Sequence, residues 1–483
     1  MNNMKVVLVE VVPQGAMLTK ELIPPLGLGY IASVLESKGY KVSIVDGVRY
    51  EDNLHKALKI IVSESPEVVG FTTTSQARFR AIELIKMTKE STGAFTVAGG
   101  PHFQPTAREA IENIKELDVI VKGEGEYTMP ELIEAYNQSR RLRDVKGIFF
   151  REDDKIIETE DRLICTDLDS IPRPAYHLFS HKKYKCTLDG TKLPVIGVIS
   201  SRGCPNNCIF CANRVLHKGS LRVRSARSFV DEIEFLRDSY QYNAFDFWDD
   251  TMTMLRPHIE NICEEILARD IKIKWYCRAR VNTVDKNLLK LMKQSGCIAI
   301  SYGVESGSNR MLAAINKGIT RVQSEEAIRI SSELGLMVTA FFILSLPGEN
   351  ISDIDATLDL MKKFRKYHNV RCFYCFSIIY PGTDLEKMAI KEDLLPTDFS
   401  WHKPYTFVKN KIVGNDPTLP CYENPYLKIE EIKAHVLKSD SPGLNFKKAV
   451  RKISRIRHIA DIKDIASFFA KYFLRNRTGK NDF

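Results

Sequence analysis

The stretch VIGVISSRGCPNNCIFCA, residues 195–212, places three cysteines directly after a short apolar run. VIGVIS has the length and composition of a buried strand. The loop that follows, residues 203–212, carries Cys204, Cys208 and Cys211 with the spacing C-x3-C-x2-C. We call residues 203–212 the cysteine loop. Three thiols on one loop are ligands suited to zinc or to an iron–sulfur cluster.

The two metals make different demands on the cysteine loop. A closed zinc site needs a fourth ligand close by, and His217, six residues beyond Cys211, could complete a Cys3His site. A fully ligated ferredoxin-type cluster would need a fourth cysteine at another spacing. Three cysteines instead leave one iron of a [4Fe–4S] cluster open to chelate a small molecule, and we favour this interpretation.

Most of the other cysteines are scattered and lack the spacing of a second cluster, so we expect one cluster only. Cys372 and Cys375 form a C-x2-C, but within a strand this spacing points the two side chains to opposite faces. We therefore predict that both are core residues.

The cysteine loop opens a long series of alternating strands and helices. The predicted strands are 195–200, 244–250, 274–281, 298–306, 337–348 and 371–382. Helices such as 228–240, 258–270, 284–296 and 351–364 fit between them. Six such units predict a partial (β/α)6 barrel, or part of an eight-unit barrel, with its chemistry at the carboxyl ends of the strands. The three cysteines stand at such an end.

The first 140 residues predict a second α/β domain. Apolar runs at 5–12, 41–46, 66–75, 95–102 and 117–126 alternate with helical patterns, which predicts a doubly wound, Rossmann-like parallel sheet. Ligands bind such sheets at the carboxyl ends of the strands. The candidate binding residues there are Thr72, Thr73, Thr74, Ser75, Gly99, Gly100, His102, Gly123, Glu124, Gly125 and Glu126. The glycines alone also fit a module that binds nothing.

Between the two series lies a connector, residues 141–190. GIFFRED and KIIETEDR predict a small hairpin, and the prolines of IPRPAYHLF interrupt regular structure. The predicted domains are therefore 1–140, 141–190, 191–415 for the barrel, and 416–483 for a mainly helical C-terminal region.

Composition is that of an ordinary globular protein, with 44% hydrophobic and 27% charged residues among 483. The start MNNMKVVLVEVV lacks the long apolar segment of a signal peptide. No apolar stretch approaches the roughly 18 residues of a membrane span. We expect a cytoplasmic protein, in which the eleven cysteines are reduced thiols or metal ligands.

The net charge of +9 is concentrated at the C-terminus. Residues 447–483 hold eleven Lys or Arg against three Asp, which gives 11 − 3 = +8. The nearly neutral remainder argues against nucleic-acid binding. Within 447–483 apolar residues recur every three or four positions, which predicts a basic amphipathic helix. Such a helix suits either peripheral contact with an anionic membrane or packing against the barrel.

The cysteine loop, with Phe210 directly before its third cysteine, resembles the radical S-adenosylmethionine (SAM) superfamily. The N-terminal segments PPLGLGYIASVLESKGYKVSIVD, AGGPH and KGEGE resemble the cobalamin-binding domain that precedes the barrel in the B12-dependent branch. Together the two resemblances cover residues 1–415. They imply three cofactors: a [4Fe–4S] cluster on the three cysteines, SAM on the open iron, and cobalamin. Reductive cleavage of SAM would give a 5′-deoxyadenosyl radical that abstracts hydrogen, with an electron donor such as flavodoxin or ferredoxin.

The resemblance also implies roles for residues at the barrel mouth. Asp249 and Asp250 match the position that receives the SAM amine, with a helix N-cap as the alternative. Arg280 and Glu305 match positions near the SAM carboxylate and ribose, with a barrel-rim ion pair as the alternative. Tyr380 would bound the adenine or substrate pocket.

One departure from the resemblance concerns cobalt. Many cobalamin domains carry a histidine ligand in a D-x-H-x-x-G loop after the first strand, but here that loop reads VPQGAMLTKE. Cobalt would then lack a histidine from the usual loop, or the domain no longer binds B12. We expect a methyltransferase that acts on a small-molecule or lipid-like substrate. The alternatives are a radical enzyme that cyclises, rearranges or oxidises a tetrapyrrole or lipid, and a non-enzymatic iron–sulfur scaffold.

Overall fold

The computed structural model describes residues 4–19, 22–188, 191–396, 398–403 and 419–439. Met1–Ile432 forms one compact unit and Lys433–Phe483 a second. The basic amphipathic helix predicted within 447–483 lies outside the described residues.

The N-terminal part contains one seven-stranded sheet. Its strand order is β2-β1-β3-β4-β5-β6-β7, parallel from β2 to β5 and antiparallel at β6 and β7. The strands are β1 Lys5–Val11, β2 Lys41–Val45, β3 Val68–Thr73, β4 Phe95–Gly99, β5 Val119–Val121, β6 Ile148–Glu152 and β7 Lys155–Glu158. The five predicted strands and the doubly wound arrangement are confirmed. The hairpin predicted in the connector is present as β6 and β7, but it belongs to this sheet, which therefore extends beyond residue 140.

Helices cover both faces of this sheet. They are α1 Ala16–Thr19, α2 Leu26–Ser37, α3 Gly47–Tyr50, α4 Leu54–Glu64, α5 Arg78–Thr92, α6 Gly100–Phe103, α7 Ala107–Asn113 and α8 Gly125–Asn137. Local sequence fixes several of their ends. The Asn53 side chain accepts a hydrogen bond from the Lys56 backbone N–H (3.1 Å) at the start of α4. Gly93, with φ +66°, ends α5 in the left-handed conformation that glycine adopts without a steric penalty.

The second part is an open, six-stranded parallel barrel. Its strand order is β8-β11-β12-β13-β14-β15, so β8 and β15 are its two free edges. The barrel strands are β8 Val195–Val198, β11 Ala244–Phe247, β12 Lys274–Ala279, β13 Cys297–Glu305, β14 Met337–Leu344 and β15 Val370–Phe376, while β9 Ser201–Arg202 and β10 Arg222–Val223 form a separate two-stranded sheet. The predicted partial barrel is confirmed. The short antiparallel pair of β9 and β10, which flanks the cysteine loop, was not predicted.

Helices alternate with the strands of the barrel. They are α9 Asn213–His217, α10 Ala226–Tyr240, α11 Arg256–Ala268, α12 Lys286–Gln294, α13 Asn309–Ala314, α14 Arg321–Glu333, α15 Ile351–Phe364 and α16 Asp384–Lys391, followed by α17 Ile429–Ser439. Capping boxes begin α14 at Thr320 and α15 at Asn350. On the outer face of β11, Phe247 stacks on Trp275 (centroids 4.5 Å apart) and meets Phe229 of α10 edge-on. No helix among the described ranges is long and apolar enough to cross a membrane.

The prediction that Cys372 and Cys375 are core residues is wrong for Cys375. Cys372 is half-buried, and its Sγ lies 3.8 Å from the backbone oxygen of Met361 in α15. Cys375, on the same edge strand, is exposed. Because Cys375 lies three positions after Cys372, its side chain points to the opposite, inner face of β15, away from the helix that covers Cys372.

Candidate functional site at the barrel mouth

The cysteine loop is held at the carboxyl end of β8 by backbone contacts to distant segments. Its Ile209 donates to the backbone oxygen of Ile315 (3.2 Å) and accepts from the backbone N–H of Leu385 (3.0 Å). Gly203 begins the loop with φ +91°, and a Cβ there would lie 1.8 Å from the backbone oxygen of Ser220. Only glycine fits this position.

Polar groups surround the three half-buried thiols. Asn206 Nδ2 donates to Cys204 Sγ (3.1 Å), and Arg280 Nη1 lies 3.9 Å from Cys208 Sγ. Burial, with neighbouring thiols and Asp250 adding to it, raises the pKa of Cys211 to about 11. The Cys211 thiol therefore stays protonated unless a metal lies beside it, and donors to sulfur are typical of iron–sulfur clusters.

The cysteines do not form a mononuclear site. Within the described ranges, no three His, Cys, Asp or Glu side chains converge closely enough to hold one metal ion. A zinc site with His217 would require such convergence. A cubane cluster does not, because each thiolate binds a different iron.

Asp249 and Asp250 follow β11, as predicted, but they face different surroundings. Asp249 is fully buried, accepts hydrogen bonds from both Ser200 (Oγ 2.8 Å) and Ser201, and burial raises its pKa to about 6. Its side chain is therefore enclosed and does not reach an open site, which corrects its proposed contact with SAM. Asp250 is exposed and accepts from the backbone N–H of Gly203 (3.0 Å). Neither carboxylate caps a helix in these contacts.

Arg280 and Glu305 both lie at the barrel mouth. Arg280 is buried, with one guanidinium nitrogen near Cys208 and another donating to the backbone oxygen of Lys317. Glu305 adopts φ +63°, which is uncommon for a residue with a side chain, and pairs with the buried Lys317 (2.7 Å). The barrel-rim ion pair considered for Glu305 is thus present. Lys317, which completes this pair, was not predicted from the sequence.

Two further predicted residues lie on either side of the mouth. Phe210 packs against an apolar cluster that includes Ile315 and Ile379, and the Lys317 ammonium is 6.0 Å from its ring centroid. Tyr380 is half-buried, and its hydroxyl accepts from Gln76 of the N-terminal domain (3.3 Å). Tyr380 therefore connects the two domains beside the site.

A cavity of about 900 Å³ lies between the sheet of the N-terminal domain and the cysteine loop. The predicted residues that line it are Thr72, Thr73, Thr74, Gly99, Gly100, Gly123, Glu124, Gly125 and Glu126. On the barrel side it is lined by Ile199, Ser201, Arg202, His217, Trp248 and Asp250. At Gly100, with φ +83°, a Cβ would lie 2.2 Å from Thr72 Oγ1, so a glycine is needed for the two loops to meet. The cavity is large enough for a substantial cofactor and is continuous with the mouth of the barrel.

Ser75 and His102 do not line this cavity, contrary to prediction. The Ser75 hydroxyl is 3.1 Å from His102 Nδ1, and both side chains are buried. The His102 ring packs near Trp401 and His402, and burial holds its pKa well below the usual value. His102 therefore joins the N-terminal domain to the segment around 401 and does not face a ligand.

Glu124 and Glu126 face the cavity, but their carboxylates bind arginines of the barrel. Glu124 accepts from both Nη atoms of Arg222 (2.8 and 2.9 Å), and Glu126 accepts from Arg202 (2.7 Å). Burial would raise the pKa of Glu124, but Arg222 and Arg202 outweigh it and hold that pKa below its usual value. These arginines flank the cysteine loop on β9 and β10, and sequence reasoning missed both.

Glu10 and His217 also line the cavity, although neither was predicted to lie there and His217 was considered only as a zinc ligand. Burial, with the nearby Asp46 carboxylate adding to it, raises the pKa of Glu10 on β1 to about 8. His217 is the only histidine among the described residues that line the cavity. Its buried Nδ1 has no hydrogen-bond partner in the described part of the chain. The VPQGAM segment, residues 12–17, also lines the cavity, at 12–14 and 16, and supplies no histidine.

Comparison with known proteins agrees with this architecture. Residues 198–361 match the family model of the Radical SAM superfamily, and residues 19–133 match that of the B12 binding domain. An uncharacterized methyltransferase of Pyrococcus horikoshii is 32% identical over 449 residues, which cover 90% of this chain and 95% of that protein. An anaerobic magnesium-protoporphyrin IX monomethyl ester cyclase of Cereibacter sphaeroides is 31% identical over 343 residues. That alignment covers 69% of this chain and 55% of the cyclase.

The fold also matches a solved structure. TsrM from Kitasatospora setae, a radical S-adenosylmethionine methyltransferase with cobalamin and a [4Fe-4S] cluster bound, superimposes with a TM-score of 0.73. The two chains are 17% identical, and the match covers 91% of this chain and 89% of TsrM.

This chain belongs to the cobalamin-dependent radical SAM enzymes. Its cofactors are a [4Fe–4S] cluster, SAM and cobalamin. The thiols and their donors at the cysteine loop suit the cluster, and the cavity at the strand ends has room for the corrinoid.

Proposed function

We propose that this enzyme transfers a methyl group from SAM, by way of cobalamin, to an unactivated carbon of a small-molecule or lipid-like substrate. The observation that carries the proposal is the continuous cavity, which runs from the strand ends of the N-terminal domain to Asp250 and Trp248 beside the cysteine loop. A methyl carrier in this cavity and a substrate at the barrel mouth would be neighbours. When bound, the cluster and SAM supply the hydrogen-abstracting radical, and cobalamin carries the methyl group.

Each cofactor has a proposed set of protein groups. Cys204, Cys208 and Cys211 hold the cluster, with Asn206 as a donor to sulfur. Asp250, the exposed carboxylate of its pair, is placed to accept the SAM ammonium. Arg280 lies beside Cys208, where a cation would stabilise the SAM carboxylate.

Cobalamin has its proposed site among the glycines and threonines of the cavity wall. Glycines at 99, 100, 123 and 125 let the backbone approach the ligand closely. The threonine hydroxyls at 72–74 offer hydrogen bonds to its peripheral amides. Glu124 and Glu126 act indirectly, because their carboxylates are bound by Arg222 and Arg202.

The relatives favour methyl transfer over cyclisation. The Pyrococcus protein named as a methyltransferase aligns over nearly the whole of both chains, whereas the cyclase aligns over about half of its own length.

The proposal is tested by anaerobic incubation of the reconstituted holoenzyme with methyl-labelled SAM and a chemical reductant. We expect label in protein-bound cobalamin and formation of S-adenosylhomocysteine, with 5′-deoxyadenosine appearing when substrate is present. The matched control is a triple alanine variant of the cysteine loop, which should form no 5′-deoxyadenosine. If the wild-type enzyme forms 5′-deoxyadenosine but never S-adenosylhomocysteine or labelled cobalamin, it is a radical enzyme that does not methylate.

The cellular setting is part of the same proposal. The enzyme acts in the cytoplasm, takes its electron from flavodoxin or ferredoxin, and touches an anionic membrane through the basic residues of 447–483. The support is the +8 charge of that segment and its apolar periodicity. The proposed boundaries between functional segments are at about residues 140, 190 and 415. The β6–β7 hairpin is part of the N-terminal sheet.

A further inference from the structure

The inner face of the barrel can be identified from the contacts of its outer face. On β14, Phe342 points outward, since its ring is 6.3 Å from that of Phe364 in α15. On β15, Cys372 points outward to the backbone of α15. Successive side chains of a strand alternate between its faces, so Phe341 and Phe373 point into the barrel. They are opposite each other in the strand register, and their ring centroids are 6.1 Å apart.

Aromatic side chains on this inner face are unusually accessible. Phe341 is 46% exposed, Phe373 is 52% exposed, and Trp248, which follows β11 and lines the cofactor cavity, is 40% exposed. The interior of a closed barrel is normally filled by packed side chains. Here six strands leave an open lumen, and three large apolar rings face it. Leaving such rings in water is unfavourable, so a ligand that covers them gains binding free energy.

Two ion pairs lie on the inner face, and Arg371, two residues before Phe373, lies on the same face near the amino end of β15. Arg278 makes a bidentate ion pair with Asp246 (2.6 and 3.0 Å), and Lys317 pairs with Glu305 (2.7 Å). Each pair is neutral as a whole. A charge brought between these two pairs would lose its hydration without gaining a counter-charge from either of them.

We infer that the lumen between Trp248, Phe341 and Phe373 binds the body of the substrate, and that this body is an uncharged, apolar ring system, aromatic or fused. The inference rests on the proposed function, because it assumes that the methyl acceptor enters from the barrel side of the cofactor cavity. Phe341 and Phe373 stack on the ring system and determine specificity, while Trp248 borders it on the cofactor side.

The test uses the full-length holoenzyme and two probes in equilibrium dialysis. The first probe is 2-naphthol, a neutral fused ring, and the second is 2-naphthoate, the same ring with a carboxylate. We expect 2-naphthol to bind at one saturable site and 2-naphthoate to bind about tenfold more weakly. The double variant Phe341→Ala/Phe373→Ala should weaken 2-naphthol binding about tenfold, which corresponds to the loss of two aromatic contacts.

Two further variants keep the result interpretable. Tyr426→Ala removes an aromatic ring that is 91% exposed, and it should leave 2-naphthol binding unchanged. If the double alanine variant fails to take up iron and cobalamin, Phe341→Leu/Phe373→Leu keeps apolar volume without the rings. That variant should still weaken binding, by about threefold.

The inference is overturned if 2-naphthol shows no saturable binding, if the double alanine variant binds it as tightly as the wild type, or if 2-naphthoate binds as well as 2-naphthol. The proposed function is judged separately. Transfer of labelled methyl from SAM to cobalamin by the wild-type enzyme is measured without either probe. Failure of that transfer with intact probe binding would remove the methyltransferase and leave an apolar ligand site.

Discussion

The contact most open to a quantitative test is the ion pair of Arg202 and Glu126, which joins the two domains at the edge of the cavity. Only 12% of the Arg202 side chain and 6% of the Glu126 side chain are exposed. The Arg202 guanidinium also lies 5.0 Å from the ring centroid of Tyr30. Replacement of Arg202 by Met leaves Glu126 buried without a counter-charge, whereas Glu124 keeps its bidentate contact with Arg222. Removal of one partner of a buried pair costs about 3 kcal/mol or more.

The expected shift in melting temperature follows from the size of the cooperative unit. A unit of 432 residues, Met1–Ile432, has an unfolding entropy of about 0.9 kcal/mol/K at the per-residue average. A loss of about 3 kcal/mol should therefore lower Tm by about 3 °C. Thermal unfolding is followed by circular dichroism on cobalamin-free protein, since a bound ligand would add its own stabilisation.

Two comparison variants decide whether charge burial is the cause. Arg202→Met/Glu126→Leu removes both charges and should recover most of the lost stability, because a buried pair replaced by apolar residues is often neutral. Arg329→Met breaks contacts to Glu326 and Glu333 on the exposed face of α14, and it should shift Tm by less than about 1 °C. The reasoning fails if Arg202→Met melts within 1 °C of the wild type, or if the double variant is no more stable than the single one.

Three other predictions follow from the site and the tail. Reconstituted protein should carry about four irons, measured by iron analysis and electron paramagnetic resonance. The triple alanine variant of the cysteine loop should carry no iron in cluster form, whereas Cys372→Ala should keep all of it. Because the folded state keeps a proton on Glu10 up to a pKa of about 8 while the unfolded state loses it near 4.5, Glu10 costs stability increasingly as pH rises between these values. Glu10→Gln should therefore raise Tm of the cobalamin-free protein relative to wild type at pH 8 but not at pH 5; equal Tm differences at the two pH values would contradict the assignment. Full-length protein should sediment with anionic vesicles at low salt and a chain ending at Leu444 should not, and identical behaviour of the two would leave 447–483 without a membrane role.

The positions of the strands could be predicted from sequence patterns. Each buried strand is a short apolar run bounded by a helix or a glycine, and such a run needs no information from elsewhere in the chain. The β6–β7 hairpin shows the limit of this reasoning. Its two strands were predicted, but the sheet they join is decided by antiparallel pairing with β5, which local composition does not encode.

The residues of the candidate site also differ in whether local sequence was enough to predict them. The three cysteines lie on one short loop, so their spacing could be recognised directly in the sequence. Glu124 and Glu126 stand on a predicted ligand loop, yet their partners Arg222 and Arg202 lie 98 and 76 residues later. His102 stands at a predicted strand end, but the turn of α6 carries its ring toward Trp401, about 300 residues away. Side-chain direction and remote partners come from tertiary packing, which periodicity does not report.

The loops that join the two domains also line the candidate site. Gln76 after β3 donates to Tyr380, and Gln104 after β4 donates to the backbone of α9 at Leu216 (3.2 Å). The loop after β5 binds Arg202 and Arg222 on either side of the cysteine loop. Because one set of loops both lines the cavity and binds the barrel, part-buried hydrogen bonds and ion pairs would set the distance between a corrinoid in the cavity and a cluster on the cysteine loop. The connector between the domains could not hold two cofactors in register by itself, since a covalent link limits distance without fixing orientation. A corrinoid in the cavity would deliver its methyl group to a substrate at the barrel mouth only at a suitable distance and orientation, so these loop contacts would act as positioning contacts for that transfer.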